Sequence, residues 1–226
     1  MTITPGLRAD ALRNRHALVA AARAVFGERG LDAPLDEIAR RAGVGNATLY
    51  RRFPSRHELL AAVFADTLRD VLAMLERSLA DPDPWNGFCS YVRQVCALQS
   101  GDVGLADLLT TRFAAAAELE SLREQAHRGY VLLVDRAKAA GRLRTDYAPQ
   151  DLVLLLMANA GLVRRMGEHA PTASRRLVSL ALDGLRAGSA TQAFPPPGEW
   201  AVVEAMTALG DSFGCGGSSA ATDPAR

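Results

Sequence analysis

The step Gly43-Val44-Gly45 constrains the fold more than any other feature of this 226-residue chain. Ahead of it, Leu35, Ile38, Ala39 and Ala42 recur at i, i+3, i+4 and i+7, the apolar face of a short helix. Pro34 suits the first turn of that helix, and Asp36 and Glu37 follow near its positive dipole end. Behind the step, residues 46–53 predict a second short helix with Gly45 as a tolerable N-cap. Two short helices joined by so few residues cannot lie antiparallel. They cross steeply, and the second projects from the body with its outer face in solvent. On that second helix Val44, Leu49 and Phe53 are placed to pack inward, while Asn46, Ala47, Thr48, Tyr50, Arg51 and Arg52 face outward to varying degrees.

The other periodic segments read as helix too. Residues 8–29 carry Leu12, Val19, Ala22 and Phe26 on one stripe, and Gly30 stops them. Pro54 closes the projecting helix, and Ser55-Arg-His-Glu58 is a capping box that opens a long helix over 56–79. Asp81-Pro-Asp-Pro84 breaks the chain, and further helices are expected at 85–98, 105–113, 116–140, 149–167 and 172–187. Phe194-Pro-Pro-Pro-Gly198 is a stiff linker to a last helix at 199–209. No run alternates β-branched and polar residues for long enough to make a sheet. The expectation is an all-α chain: a three-helix unit over 1–58, a helical body over 59–209, and a disordered tail over 210–226.

Charge divides the same way. The whole chain has a formal charge of +1, yet residues 1–58 hold ten arginines against six acidic residues. A basic head on a near-neutral body points to one small region that meets a polyanion. An exposed helix bearing Asn, Thr, Tyr and two Arg has the composition a major-groove reader requires. Asparagine pairs bidentately with adenine, arginine pairs with guanine or phosphate, and the hydroxyls reach phosphate oxygens.

The residues that carry this reading also resemble a known family. Ile38-Ala-x-x-Ala-Gly-Val44, Thr48-Leu-Tyr50 and Phe53-Pro-Ser-Arg-x-x-Leu59 are similar to the N-terminal helix-turn-helix of the tetracycline-repressor (TetR) family of bacterial transcriptional regulators, over residues 10–60. The C-terminal pattern is similar to the SbtR-like group of such proteins. The resemblance implies a recognition-helix role for Asn46, Ala47, Thr48, Tyr50, Arg51 and Arg52, and places Arg56 where the family usually has a phosphate-contacting lysine. The chain departs from the family at Gly45, a common Ser cap, at Asn46-Ala47, commonly Lys-Gly, and at Pro34, often a phosphate-contacting Thr.

By the same resemblance, the body is a bundle around an apolar cavity. Phe64, Leu68, Trp85, Phe88, Tyr91, Phe113, Tyr130, Met157 and Asn159 are candidate liners, although each aromatic suits plain core packing as well. The function implied is a cytoplasmic homodimeric regulator, a repressor, released from double-stranded operator DNA by a small, mainly apolar effector, without a cofactor. The alternatives are a helical small-molecule carrier or enzyme with a structural helix-turn-helix, and a non-specific architectural DNA binder. Residues 152–163 and the stripe Leu177, Val178, Leu180, Ala181 and Leu185 are too apolar for water. They suit a twofold four-helix interface with a second copy, close-packed at Gly161 and Gly184, or burial against the chain's own body.

Other chemistries find little support. His16, His57, His127 and His169 lie on separate segments without zinc-site spacing. No phosphate-binding Gly-rich loop or nucleophile elbow is visible, so no catalytic residue or metal is expected. Cys89 and Cys96 are two helical turns apart, roughly 10 Å, and cannot bridge. They read as small hydrophobes, with redox sensing as the rarer use, and Cys215 sits in the tail. The apolar stretch 152–163 is shorter than the roughly 20 residues of a membrane span, and the N-terminus places charges where a signal peptide needs its apolar core. Neither anchoring nor secretion is expected.

Overall fold

The computed structural model describes residues 5–188 and 194–214; of the predicted tail over 210–226, residues 215–226 with Cys215 lie outside them. Among the described residues ten α-helices follow one another: α1 (Pro5–Arg29), α2 (Leu35–Arg41), α3 (Asn46–Arg52), α4 (Arg56–Leu79), α5 (Pro84–Ser100), α6 (Val103–Thr110), α7 (Ala117–Ala139), α8 (Gln150–Met166), α9 (Ala170–Gly184) and α10 (Glu199–Gly214). A single 3-10 turn, Gly167–His169, joins α8 to α9. Among the described residues the extended pairing is limited to one isolated bridge between Leu143 and Arg186. The fold is all-α, as the periodicity predicts. No helix among the described residues is long and apolar enough to cross a membrane.

Helix ends follow their caps. The Ser55 hydroxyl accepts from the Glu58 amide at 3.2 Å and starts α4. The box is only half closed, because the Glu58 carboxylate meets the Ser55 hydroxyl, at 3.5 Å, instead of a backbone amide. Asp83 starts α5 by accepting from the Trp85 and Asn86 amides at 2.9 and 3.3 Å, with Pro84 at the first helical position. Asp102 caps α6 through the Leu105 amide at 2.8 Å and also pairs with Arg23 of α1.

Several boundaries differ from the sequence expectation by two to five residues, and at the end of α6 the reason is tertiary. Helix α6 ends at Thr110, three residues early. The Phe113 amide instead donates to Glu120 at 3.0 Å and the Arg112 amide to the Met206 carbonyl at 3.0 Å, so residues 111–113 are drawn out of the helix. Helix α10 continues to Gly214, past the predicted end at 209.

The head and the body share one apolar core. Phe26 of α1 stacks on Phe64 of α4 with ring centroids 6.2 Å apart, and Leu18, Ala22, Ile38, Leu49, Leu59 and Leu60 are buried around them. Burying each leucine, isoleucine and phenylalanine of this set contributes about 1.5–3 kcal/mol. The body is built from α4, α5, α7, α8 and α9, with α6 wedged between α1 and α8.

Candidate nucleic-acid interface and interior cavity

The turn between α2 and α3 is held by backbone bonds. The Gly43 amide donates to the Arg40 carbonyl at 3.2 Å and the Val44 amide to Ala39 at 3.0 Å. Gly43 has φ +70°, a left-handed conformation that costs a side-chain-bearing residue roughly 1 kcal/mol or more. Gly45 caps α3 through its carbonyl, which accepts from the Thr48 amide at 2.9 Å and the Leu49 amide at 3.2 Å. Leu49 and Phe53 are buried at 1% and 3% exposure, and Arg15 lies over the Phe53 ring at 5.5 Å. These two anchors set the rotation of α3.

That rotation leaves Asn46, Ala47 and Arg51 exposed, Tyr50 half-exposed at 51%, and Thr48 and Arg52 partly buried. Arg51 Nη2 donates to Thr48 Oγ1 at 3.4 Å, a long bond that leaves most of the guanidinium fork open. Arg52 Nε has no hydrogen-bond partner among the described residues. Arg56 is placed differently from the others. Its Nη1 donates to the Leu31 carbonyl at 2.6 Å and the Ala33 carbonyl at 3.0 Å, which pins the loop between α1 and α2. Burial lowers its guanidinium from the ordinary value, opposed by Asp32. A guanidinium has five donors, so a phosphate contact is chemically compatible with this brace. On α2, Arg41 is engaged by Glu28 through two bonds of 2.7 Å, while Arg40 is exposed.

In the body, a cavity of about 530 Å³ lies between α4, α5, α7, α8 and α10. Pockets of about 300–1,000 Å³ hold drug-sized ligands. Its apolar wall includes Leu68 and Val71 of α4, Tyr91 and Val95 of α5, Leu109 of α6, and Leu152 and Leu156 of α8. Of the expected liners, Leu68, Tyr91 and Tyr130 stand on this wall. The other expected residues pack elsewhere. Phe64 stacks on Phe26, and Phe113 lies 6.1 Å from the His57 ring. Phe88 sits among Trp85, Tyr130 and Tyr147, with Trp85 also under Arg186 at 5.1 Å. Met157 is partly buried on α8 outside the wall. Asn159 is fully buried, and its amide nitrogen donates to Gln99 Oε1 at 2.8 Å and the Cys96 carbonyl at 3.2 Å. Its nitrogen is thus satisfied inside the fold, while its buried Oδ1 has no hydrogen-bond partner among the described residues.

Sequence reasoning did not find the far wall. Val202 and Met206 of α10 close the cavity, and Gly210 packs so tightly on the Arg112 carbonyl that a Cβ there would collide with it. Nor did it find Asp107, whose signal was available as a lone acid in the apolar run Leu105-Ala-Asp-Leu-Leu109. Asp107 is buried. One carboxylate oxygen accepts from the Leu31 amide of the head at 3.0 Å, and the other pairs with Arg164 of α8. Gly30, at φ +93°, makes this approach possible, because a Cβ there would lie 2.6 Å from the Asp107 carboxylate.

Cys89 and Cys96 are buried free thiols, and burial pushes them up to about 11 and about 12. Thiolate is the reacting form, so both are expected to be inert at neutral pH. In a Cys215→Ser variant, iodoacetamide is expected to label the folded protein at least tenfold more slowly than the urea-unfolded chain. Comparable rates in the two states would contradict the burial.

The arrangement of head and body has counterparts of known kind. Residues 18–63 match the family model described as bacterial regulatory proteins of the tetR family, and residues 83–187 match the SbtR-like transcriptional regulator C-terminal domain. A TetR transcriptional regulator from Streptomyces coelicolor is 32% identical, with 77% of this chain and 99% of that one covered and a TM-score of 0.50. A regulatory protein of the tetR family from Rhodococcus has a TM-score of 0.58 at 18% identity, covering 77% of this chain and 98% of its own. FadR from Bacillus subtilis, solved in complex with stearoyl-CoA, has a TM-score of 0.56 at 15% identity, covering 75% of this chain and 98% of its own. No match was found among curated proteins. The two family models tile the head and most of the body in the order the fold presents them, and with a relative of 32% identity alongside, the chain belongs to the TetR family of DNA-binding transcriptional regulators.

Proposed function

We propose that this chain acts as a homodimeric repressor that a small, mainly apolar effector releases from its operator. The observation that carries the DNA-reading part is the rotation of α3: Leu49 and Phe53 are buried while Asn46, Ala47, Thr48, Tyr50, Arg51 and Arg52 remain at or near the surface. One such helix per protomer enters a major groove, with Arg56 at the flanking phosphate backbone, and the two half-sites are spaced by about one or two helical turns. Residues 1–58 form the reading unit and 59–209 the effector and dimerisation unit.

The second copy pairs through α8 and α9. Leu154, Met166 and Leu180 are 41%, 41% and 54% exposed, and an added Cβ at Gly161 or Gly184 meets nothing within 4 Å, so this surface is open and apolar. Leu180→Arg places two like charges near the twofold axis and removes two apolar side chains from the interface. Each is worth about 1.5–3 kcal/mol, so the dimer Kd is expected to rise roughly a hundredfold or more by sedimentation velocity. A variant as dimeric as the parent would place the interface elsewhere.

Release works through α6. Leu109 borders the cavity and Asp107, half a turn away, holds the head at Leu31. An effector that fits the cavity better in one position of α6 shifts the two reading heads relative to one another, and only its differential affinity supplies that shift. The reciprocal effect follows: operator DNA weakens effector binding by the same factor. The deciding experiment is fluorescence-anisotropy titration of DNA flanking the chain's own gene against a scrambled duplex at fixed salt. A preference of about a thousandfold, saturating at an even number of chains, supports the reading; equal, salt-fragile binding to both overturns it.

A further inference from the structure

The cavity has a charged end. Arg112 and Arg123 both stand in its wall and share one acid, Glu120. Glu120 is largely occupied: its Oε2 accepts from Arg112 Nε and Nη2 at 2.7 and 2.6 Å, and its Oε1 from the Phe113 amide at 3.0 Å. Arg123 is left short. Its Nη2 is spent on the Leu108 and Thr111 carbonyls at 2.7 Å each. Its Nε stands 3.5 Å from Glu120 Oε1 without completing a hydrogen bond and is buried with no other partner.

Two guanidiniums against one carboxylate leave one positive charge in excess inside the fold, where Arg123 is only 16% exposed. Burial lowers the Arg123 guanidinium, Glu120 opposes that, and Arg112 adds to it. An uncompensated buried charge is costly, and an incoming anion removes the cost. The remaining charges do not supply that anion. Glu124 and Glu199 border the cavity but are exposed, and Glu124 lies 4.0 Å from Arg128, its own ion-pair partner. His127 is exposed one turn beyond Arg123.

The faces that α4, α5 and α8 contribute are mainly apolar, through Leu68, Val71, Val95, Leu152 and Leu156, while α7 and α10 add the exposed Glu124, His127, Arg128 and Glu199. Along α7 the wall runs from Arg123 to Val131, a helical rise of roughly 12 Å.

We infer that the effector is an amphipathic acid, with a single anionic head at Arg112 and Arg123 and an apolar body along α4, α5 and α8. This rests on the reading of the cavity as the effector site and narrows it from apolar to apolar with one negative end.

The test is isothermal titration of the full-length protein with decanoate and with decanol, which share a chain and differ in the head. The parent is expected to bind decanoate at least tenfold more tightly than decanol. Arg112→Gln leaves Arg123 balanced against Glu120 and is expected to bring that ratio towards one while decanol binding stays within about threefold. Circular dichroism establishes that the variant is folded; if it is not, the ratio in the parent decides alone. Decanol binding as tightly as decanoate to the parent overturns the anionic head and leaves the apolar cavity standing. Failure of both to bind at millimolar concentration overturns the cavity reading along with it.

Discussion

Asn46→Ala is expected to cut discrimination between operator and scrambled DNA at physiological salt by about thirtyfold or more. Asn46 is exposed at the first position of α3, and its amide is the side chain on that helix best matched to an adenine edge. A good bidentate base contact contributes about 1–3 kcal/mol of discrimination. The proposed dimer makes it in both half-sites, which are far enough apart for the losses to add, so about 2–6 kcal/mol is lost per complex. Non-specific affinity should change little, because it depends on phosphate contacts from arginines that remain. Tyr50→Phe is the contrasting case: loss of a phosphate-directed hydroxyl weakens operator and scrambled DNA by a similar factor. Anisotropy titrations of both variants on both duplexes separate these patterns. A uniform loss from Asn46→Ala would assign it to the backbone, and unchanged affinity for both duplexes would remove it from the reading surface.

Asp107→Ala is expected to lower the unfolding free energy by about 2–3 kcal/mol. The buried Leu31 amide loses its acceptor, and an unsatisfied buried amide costs about 1–3 kcal/mol. The Arg164 end adds less, because that side chain is 44% exposed and regains water. Asp107→Asn retains an oxygen for the Leu31 amide and should recover much of the loss, although its amide nitrogen then faces Arg164. Urea unfolding of the three proteins gives the comparison, with the expected order parent, Asn, Ala. The same two variants probe release. If α6 carries the effector's influence to the head, Asp107→Asn retains operator binding while the effector's effect on it shrinks. An alanine variant as stable as the parent would show that Asp107 bears no weight at the junction of head and body.

The elements of this protein were legible from local chemistry. The Gly43-Val44-Gly45 step, the helical spacing on either side of it, and the caps at Ser55 and Asp83 act over a few residues, and the structure places α3 and α4 within one residue of where they predict. The outward set Asn46, Ala47, Thr48, Tyr50 and Arg51 was readable for the same reason: helix periodicity settles which side chains oppose Leu49 and Phe53.

The interior was not readable in this way. Phe64, Phe88 and Phe113 are as apolar as the residues that do line the cavity, and only the packing of α4, α5, α7 and α8 decides which aromatic fills core and which borders empty space. The same holds for Arg112, Arg123 and Glu120. Spacing places Glu120 and Arg123 three apart on one helix, but their burial depends on α10, whose Met206 lies some ninety residues from Arg112 in the chain and accepts its amide bond at 3.0 Å. The bond from the Leu31 amide to Asp107 spans a sequence separation of 76. Sequence alone determined the helices, their order and the face that α3 turns outward, because those follow from hydrogen bonds and side-chain periodicity within a turn or two. Only the tertiary structure decided where the cavity lies, which charges it encloses and how the head is tied to the body, because burial of a charge or an amide is a property of chain segments brought together from far apart.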